Sequence, residues 1–130
     1  MKSKSPLDPD KHKHSTQRLK DKLSFEAFVL AVNDGDTIQI ARNYQDGCYS
    51  GTEFIRLAAL DAPELRGFDC RAALWSQQFL SGLILHQVVT VRPRRIWRDP
   101  YHRIIADVTF DGKDVGTCLI QNGHAVHRKS

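Results

Sequence analysis

Apolar residues are nearly missing from the first 22 positions and then return in short bursts. The opening stretch, MKSKSPLDPDKHKHSTQRLKDK, offers too little apolar surface to offset the entropy of ordering. Residues 1–22 are therefore expected to form a basic, disordered or weakly helical arm, and 23–130 the folded domain. From Phe25 the pattern becomes regular. FEAFVLAV (25–32) predicts a strand, NDGD (33–36) a turn and TIQIA (37–41) the return strand. NYQDGCYSG (43–51) is expected to be a loop, followed by a third strand over TEFIRLAAL (52–60). Between about Cys70 and Leu85 the period changes. Ala72, Trp75, Phe79 and Leu83, with Leu80 and Ile84 beside them, predict one amphipathic helix. QVVTVRP (87–93) and RIIADVTF (103–110) predict two more strands. Val115, Cys118, Leu119 and Asn122 predict a short helix that stops at Gly123. Three strands, a helix, two strands and a helix suit a mainly β, α+β fold: a five-stranded Greek-key barrel of the OB type with two or three helices. An open α+β sheet is the alternative.

Composition narrows the class. At 130 residues, 41% hydrophobic and 26% charged, the chain fits one globular domain with one modest core. A net charge of +4 and a pI of about 9.1 favour polyanions. No apolar run approaches the roughly 18 residues that a membrane span needs. The basic N-terminus lacks an apolar h-region, so no signal peptide is visible. The expected location is cytoplasmic, with export left open, and no membrane partner is expected; oligomeric state is not legible. Cys48, Cys70 and Cys118 show no CxxC spacing and are odd in number, so buried or half-buried thiols are expected rather than a zinc or disulfide framework.

Four segments carry polar residues where strands are expected to end. Asp34 and Asp36 flank Gly35. Asp36 shares parity with Ile38 and Ile40, which places its carboxylate at the barrel rim if that face is the core. Arg56 interrupts an apolar strand. Asp61, Pro63 and Glu64 follow that strand, and Pro63 holds Ala62 extended. RPRRIWRDPYHR (92–103) interleaves Trp97 and Tyr101 with basic residues. Each segment has a plain structural account: a turn, a paired wall residue, a turn before a helix, a solvated hairpin. Together they supply what phosphodiester cleavage needs. Those needs are hard oxygen ligands for a divalent cation, a base to activate water, and cations matched to the charge gathering on phosphorus.

DGDT (34–37), FIRLAALDAPE (54–64), DPYHR (99–103) and KDVGTCLIQNGHA (113–125) resemble, in order and spacing, the motifs of the staphylococcal nuclease (thermonuclease) family. The resemblance spans about residues 25–126. It implies an OB-fold barrel and a Ca2+-dependent nuclease, with Mg2+ or Mn2+ as other metals. Such an enzyme cuts DNA and RNA on the 5′-oxygen side and leaves 3′-phosphate ends. Carried over by motif, Asp36 and Asp61 would be calcium ligands and Ala62 would offer its backbone carbonyl. Asp34 would support Asp36. Glu64 would be the general base, and Arg56 and Arg103 would clamp the phosphate. Tyr101 would sit at the nucleotide's phosphate. The chain departs from the family at Pro100, where a lysine is usual, and at His102, where a glycine is usual. Arg98 or His102 is expected to take over the lost phosphate contact, and Trp97 to contact nucleic acid. The segment from Glu64 to the helix is short, which brings Arg66 into reach. No counterpart of the family's final helix is expected after Gly123.

Two other readings fit parts of the pattern. One is a non-catalytic OB module that holds nucleic acid through the basic loop and Trp97. The other is a protein-interaction module. The binding module does not require Asp36, Asp61, Glu64, Arg56 and Arg103 together; interaction modules that resemble this family occur as tandem arrays, whereas this sequence carries one copy.

Overall fold

Alternation of apolar and polar residues builds five strands that close on themselves. The structure, a computed structural model, describes residues 24–63 and 70–128, with the backbone alone at 44, 49 and 95–98. β1 (Phe25–Asp34) pairs antiparallel with β2 (Thr37–Gln45) on one side and with β5 (Val88–Arg98) on the other. β2 pairs with β3 (Cys48–Leu57), and β5 with β6 (Ile104–Phe110), again antiparallel. A short parallel pairing between β3 and β6, with Ile55 opposite Ile104 and Leu57 opposite Ala106, closes the barrel. This is the OB-type barrel that the element order predicts.

Period 2 fills the interior. Ile38 and Ile40 of β2, and Ile104, Ala106 and Val108 of β6, point inward and are buried. In β1 the inward set is Ala27, Val29 and Val32; register shifts between Val29 and Ala31 and between Val32 and Asp34 change its parity. Such bulges increase twist and help a small barrel close. α1 (Arg71–Ile84) covers one side of the core with Leu80 and Ile84. α2 (Val115–Gln121) covers another with Val115 and Leu119. Asp114 caps α2, accepting the N–H of Thr117 at 3.0 Å, and Gly123 leaves it at φ +77°. Two small ladders complete the chain: β7 (Lys113–Asp114) on β6, and β4 (Leu60–Asp61) with β8 (Val126–His127). Among the described residues no helix is long and apolar enough to cross a membrane.

Several expectations need correction. Residues 43–51 are not a loop. β2 runs on to Gln45 and β3 begins at Cys48, so only Asp46 and Gly47 turn, at φ +53° and +80°. Positive φ at both positions is the hairpin turn that Asp-Gly favours. The flanking residues are polar because this hairpin projects past the core, leaving Arg42, Asn43, Gln45, Cys48 and Ser50 exposed. β3 ends at Leu57; a turn at Ala58 and Ala59 separates it from β4. β5 continues beyond Pro93 to Arg98, with its ladder irregular between those two residues.

The buried stripe of α1 is Ala73, Ser76, Leu80 and Ile84, not one led by Ala72 and Trp75. Trp75 is 61% exposed. The cause is close approach. A Cβ on Gly35 would stand 2.7 Å from the Cβ atoms of both Ser76 and Ala62, so the helix must turn its small residues toward the β1–β2 turn. The three cysteines are free, and Cys48 and Cys70 are exposed rather than buried; Cys118 is half-buried. The arm expected over residues 1–22 lies outside the described residues.

Candidate active site

The turn between β1 and β2 presents the first two acids. The Asp36 N–H donates to Asp34 Oδ1 at 3.1 Å, which closes a local turn. Gly35 lets this turn lie against Ala62 and Ser76. Gln77 of α1 donates to the carbonyls of Val32 and Asn33, at 3.0 and 3.1 Å, and fixes the end of β1. The Asp36 side chain faces inward, as its parity with Ile38 requires. It accepts the Ala62 N–H at 2.9 Å and the Thr37 hydroxyl at 3.2 Å. Burial raises the pKa of Asp36, and the neighbouring Asp34 carboxyl adds to this; the Ala62 N–H and the Arg56 charge offset only part.

Arg56 supplies that charge. It stands on β3 opposite Thr37, with its side chain only 11% exposed. Nη1 donates to the carbonyls of Leu57 and Leu60, both at 2.9 Å, and Nη2 to Asp61 Oδ1 at 2.6 Å. Asp36 Oδ2 lies 3.4 Å from Nη1. One guanidinium thus ties the end of β3 to β4 and stands between two carboxylates. Asp61 itself is half exposed.

A second group comes from the loop before β6. Asp99 accepts the N–H groups of Tyr101 and Arg103, each at 2.9 Å, and Arg103 Nε at 2.6 Å. Burial pushes the Asp99 carboxyl upward, but its bonds to the Arg103 N–H and guanidinium and to the Tyr101 N–H outweigh this and hold it below the usual value. His102 takes φ +64°, the left-handed region that glycine adopts most readily. That accounts for the glycine usual at this place in the family the sequence resembles. Tyr101 is 77% exposed, and Arg103 Cζ lies 5.3 Å from its ring centre. Arg103 Nη1 reaches Thr37 Oγ1 at 3.4 Å, the hydroxyl that donates to Asp36. Thr37 therefore links the loop to the acids.

A family profile described as Staphylococcal nuclease homologue matches residues 54–130. The chain belongs to the staphylococcal nuclease homologue family. Among its relatives is a protein named "Probable endonuclease LCL3" from Leptosphaeria maculans (strain JN3 / isolate v23.1.3 / race Av1-4-5-6-7-8). The two are 41% identical over 78 residues, covering 55% of this chain and 26% of the relative. The chain thus spans about a quarter of that relative's length.

In this staphylococcal nuclease homologue the fold brings Asp34, Asp36, Arg56, Asp61 and Ala62 into one cluster, and Arg103 joins it through Thr37. Tyr101 and His102 share the Arg103 loop. Glu64 and Arg66, and the side chains of Trp97 and Arg98, lie outside the described residues. Among the described residues no three His, Cys, Asp or Glu side chains are grouped to hold a metal ion. Sequence reasoning assigned nothing to Thr37, Asp99 or Arg128. Asp99 had a signal, since Asp before Pro favours a turn closed by its own side chain. Thr37 stood beside Asp36 as the last residue of DGDT, but its contact with Arg103 had no signal, and Arg128 had none because only the β4–β8 pairing brings it to Asp61.

Proposed function

We propose that this chain is a metal-dependent nuclease that hydrolyses phosphodiesters of DNA and RNA, using Ca2+ or, in its place, Mg2+ or Mn2+. Cleavage on the 5′-oxygen side would leave 3′-phosphate ends. Family membership and the similarity to a probable endonuclease support a nuclease-type function in general. One observation carries the finer reading: Asp36 and Asp61 converge on the buried Arg56 guanidinium, at 3.4 and 2.6 Å.

The donor set fits a hard divalent cation. Asp36 and Asp61 offer carboxylate oxygens of the kind Ca2+ and Mg2+ prefer. Burial disfavours the charged form of Asp36, and a cation would favour it. Only two acidic side chains meet Arg56 among the described residues, so the Ala62 carbonyl, water or a substrate oxygen would complete the ligands. A cation held there would supply positive charge to polarise a phosphoryl oxygen. Asp34 fixes Asp36 through its backbone N–H. Arg56 and Arg103 present N–H donors to the phosphate, where charge gathers in the transition state. Glu64 takes the proton of the attacking water. Tyr101, Arg98, His102 and Trp97 contact the nucleic acid.

The test incubates purified protein with single-stranded DNA and RNA, with Ca2+ or with chelator, beside Glu64→Gln. Ca2+-dependent cleavage to 3′-phosphate ends, lost in the variant, is the expected result. Near-wild-type cleavage by Glu64→Gln would remove the base assignment. Binding without cleavage under Ca2+, Mg2+ and Mn2+ would replace the enzyme with a non-catalytic nucleic-acid-binding module.

A further inference from the structure

The reaction proposed above makes no use of β8, yet β8 delivers an arginine to the site. Val126 and His127 pair with Asp61 and Leu60, and the Arg128 N–H donates to the Ala59 carbonyl at 3.0 Å. Residue 128 is thereby fixed by its backbone next to β4. Its Nη1 lies 3.8 Å from Asp61 Oδ1, the same oxygen that accepts from Arg56 Nη2 at 2.6 Å.

The two arginines on that oxygen are unlike. Arg56 is buried and turned onto two carbonyls, whereas the Arg128 side chain is 60% exposed. An ion pair this long and this exposed contributes little and is easily exchanged. A guanidinium placed by the backbone, weakly held and open to solvent, is well suited to a phosphate, whose oxygens match its planar fork.

We propose that Arg128 forms a second phosphate subsite. It binds a backbone phosphate neighbouring the one under attack, and Asp61 is its resting partner in the free protein. The identity of the polyanion rests on the nuclease reading. A strand with several phosphates should then bind better than a single diester, beyond what length alone gives.

The experiment measures binding of a short labelled single-stranded oligonucleotide, and of a dinucleotide with one phosphate, in chelator over a series of salt concentrations. Wild type, Arg128→Gln and Arg128→Lys are compared, with thermal midpoints as a check on folding. Loss of one phosphate contact lowers the slope of log affinity against log salt by about 0.7 on single strands. That decrease is expected in Arg128→Gln, with a several-fold loss of oligonucleotide affinity and a smaller loss on the dinucleotide. Arg128→Lys should keep most of the wild-type slope. Equal slopes in wild type and Arg128→Gln would overturn the subsite, as would a decrease of slope in Arg128→Lys as large as in Arg128→Gln, because the slope reports the charge that lysine keeps. Equal slopes alongside Ca2+-dependent cleavage would sink the subsite alone. A reduced slope in Arg128→Gln, from a protein that cleaves nothing, would sink only the enzyme. Absence of any oligonucleotide binding by wild type would sink both.

Discussion

Arg56 and Arg103 both neighbour Thr37, one as its partner across the β2–β3 ladder and one through a side-chain contact, yet they are held in different ways. Arg56 is enclosed. Two carbonyls and two carboxylates surround it, and its bonds join β3 to β4. Arg103 is more open. One carboxylate, Asp99, orients it; beyond that it makes a long contact to Thr37 and lies 5.3 Å from the Tyr101 ring centre. The contrast separates two tasks that a sequence motif merges. Arg56 organises the cluster as well as charging it. Arg103 is a positioned donor whose removal should leave the barrel standing.

The largest effect should come from Arg56→Ala. It leaves the Asp36 carboxylate without its countercharge and the Leu57 and Leu60 carbonyls without the guanidinium that donates to them, and loss of one partner from a buried pair typically costs about 3–5 kcal/mol. Urea denaturation should show a destabilisation of this size; a loss below about 1 kcal/mol would mean that Arg56 holds nothing together. Arg103→Lys should act on rate instead. If the enzyme reading holds, cleavage should fall on the order of 10²-fold or more, because an ammonium cannot reproduce the fork aimed at the transition state. Its unfolding midpoint should move far less than that of Arg56→Ala. The opposite ranking in stability would erase the distinction between the two arginines.

pH sharpens the comparison further. The Asp99 pKa is lowered in the folded protein by its bonds to Arg103 and Tyr101, against the upward push of burial. The unfolded chain therefore binds the proton more tightly. The stabilisation from this loop is fully present above the ordinary carboxylate value and is lost as pH falls through the lowered one. Asp99→Asn should flatten stability against pH in that acid window, and a curve of unaltered shape would show that the loop bonds do not persist in solution. The smallest effect belongs to His102→Gly. Relief of the left-handed backbone at φ +64°, set against the extra freedom of glycine in the unfolded chain, should stabilise by at most about 1 kcal/mol. A measurable loss would mean that the His102 side chain contributes more than its backbone strain removes.

Much of this protein is legible in its sequence. Alternating apolar residues set the five strands, Asp-Gly pairs set the turns, and Gly123 ends α2, because each is a local preference of backbone and side chain. Parity alone turned Asp36 toward the core. The motifs around Asp36, Arg56, Asp61 and Arg103 marked the segments that the fold brings together, and they led to the family. Local pattern misled where packing decided. The polar run at 43–51 suggested a loop because alternation is weak in a hairpin with no core beneath it. The face of α1 was misplaced because Gly35, far away in sequence, lies against the helix at the small residue Ser76.

The tertiary structure alone decided which charges meet. No local preference of β3 predicts that the Arg56 fork would close on the Leu57 and Leu60 carbonyls and stand between Asp36 and Asp61. None predicts Arg103 on Thr37 or Arg128 on Asp61. These contacts depend on barrel closure and on the β4–β8 pairing, which join residues far apart in the chain. Secondary structure is encoded over a few neighbouring residues, so the sequence by itself determined the elements and the chemistry available at their ends. The distances between those chemical groups exist only once the barrel has closed.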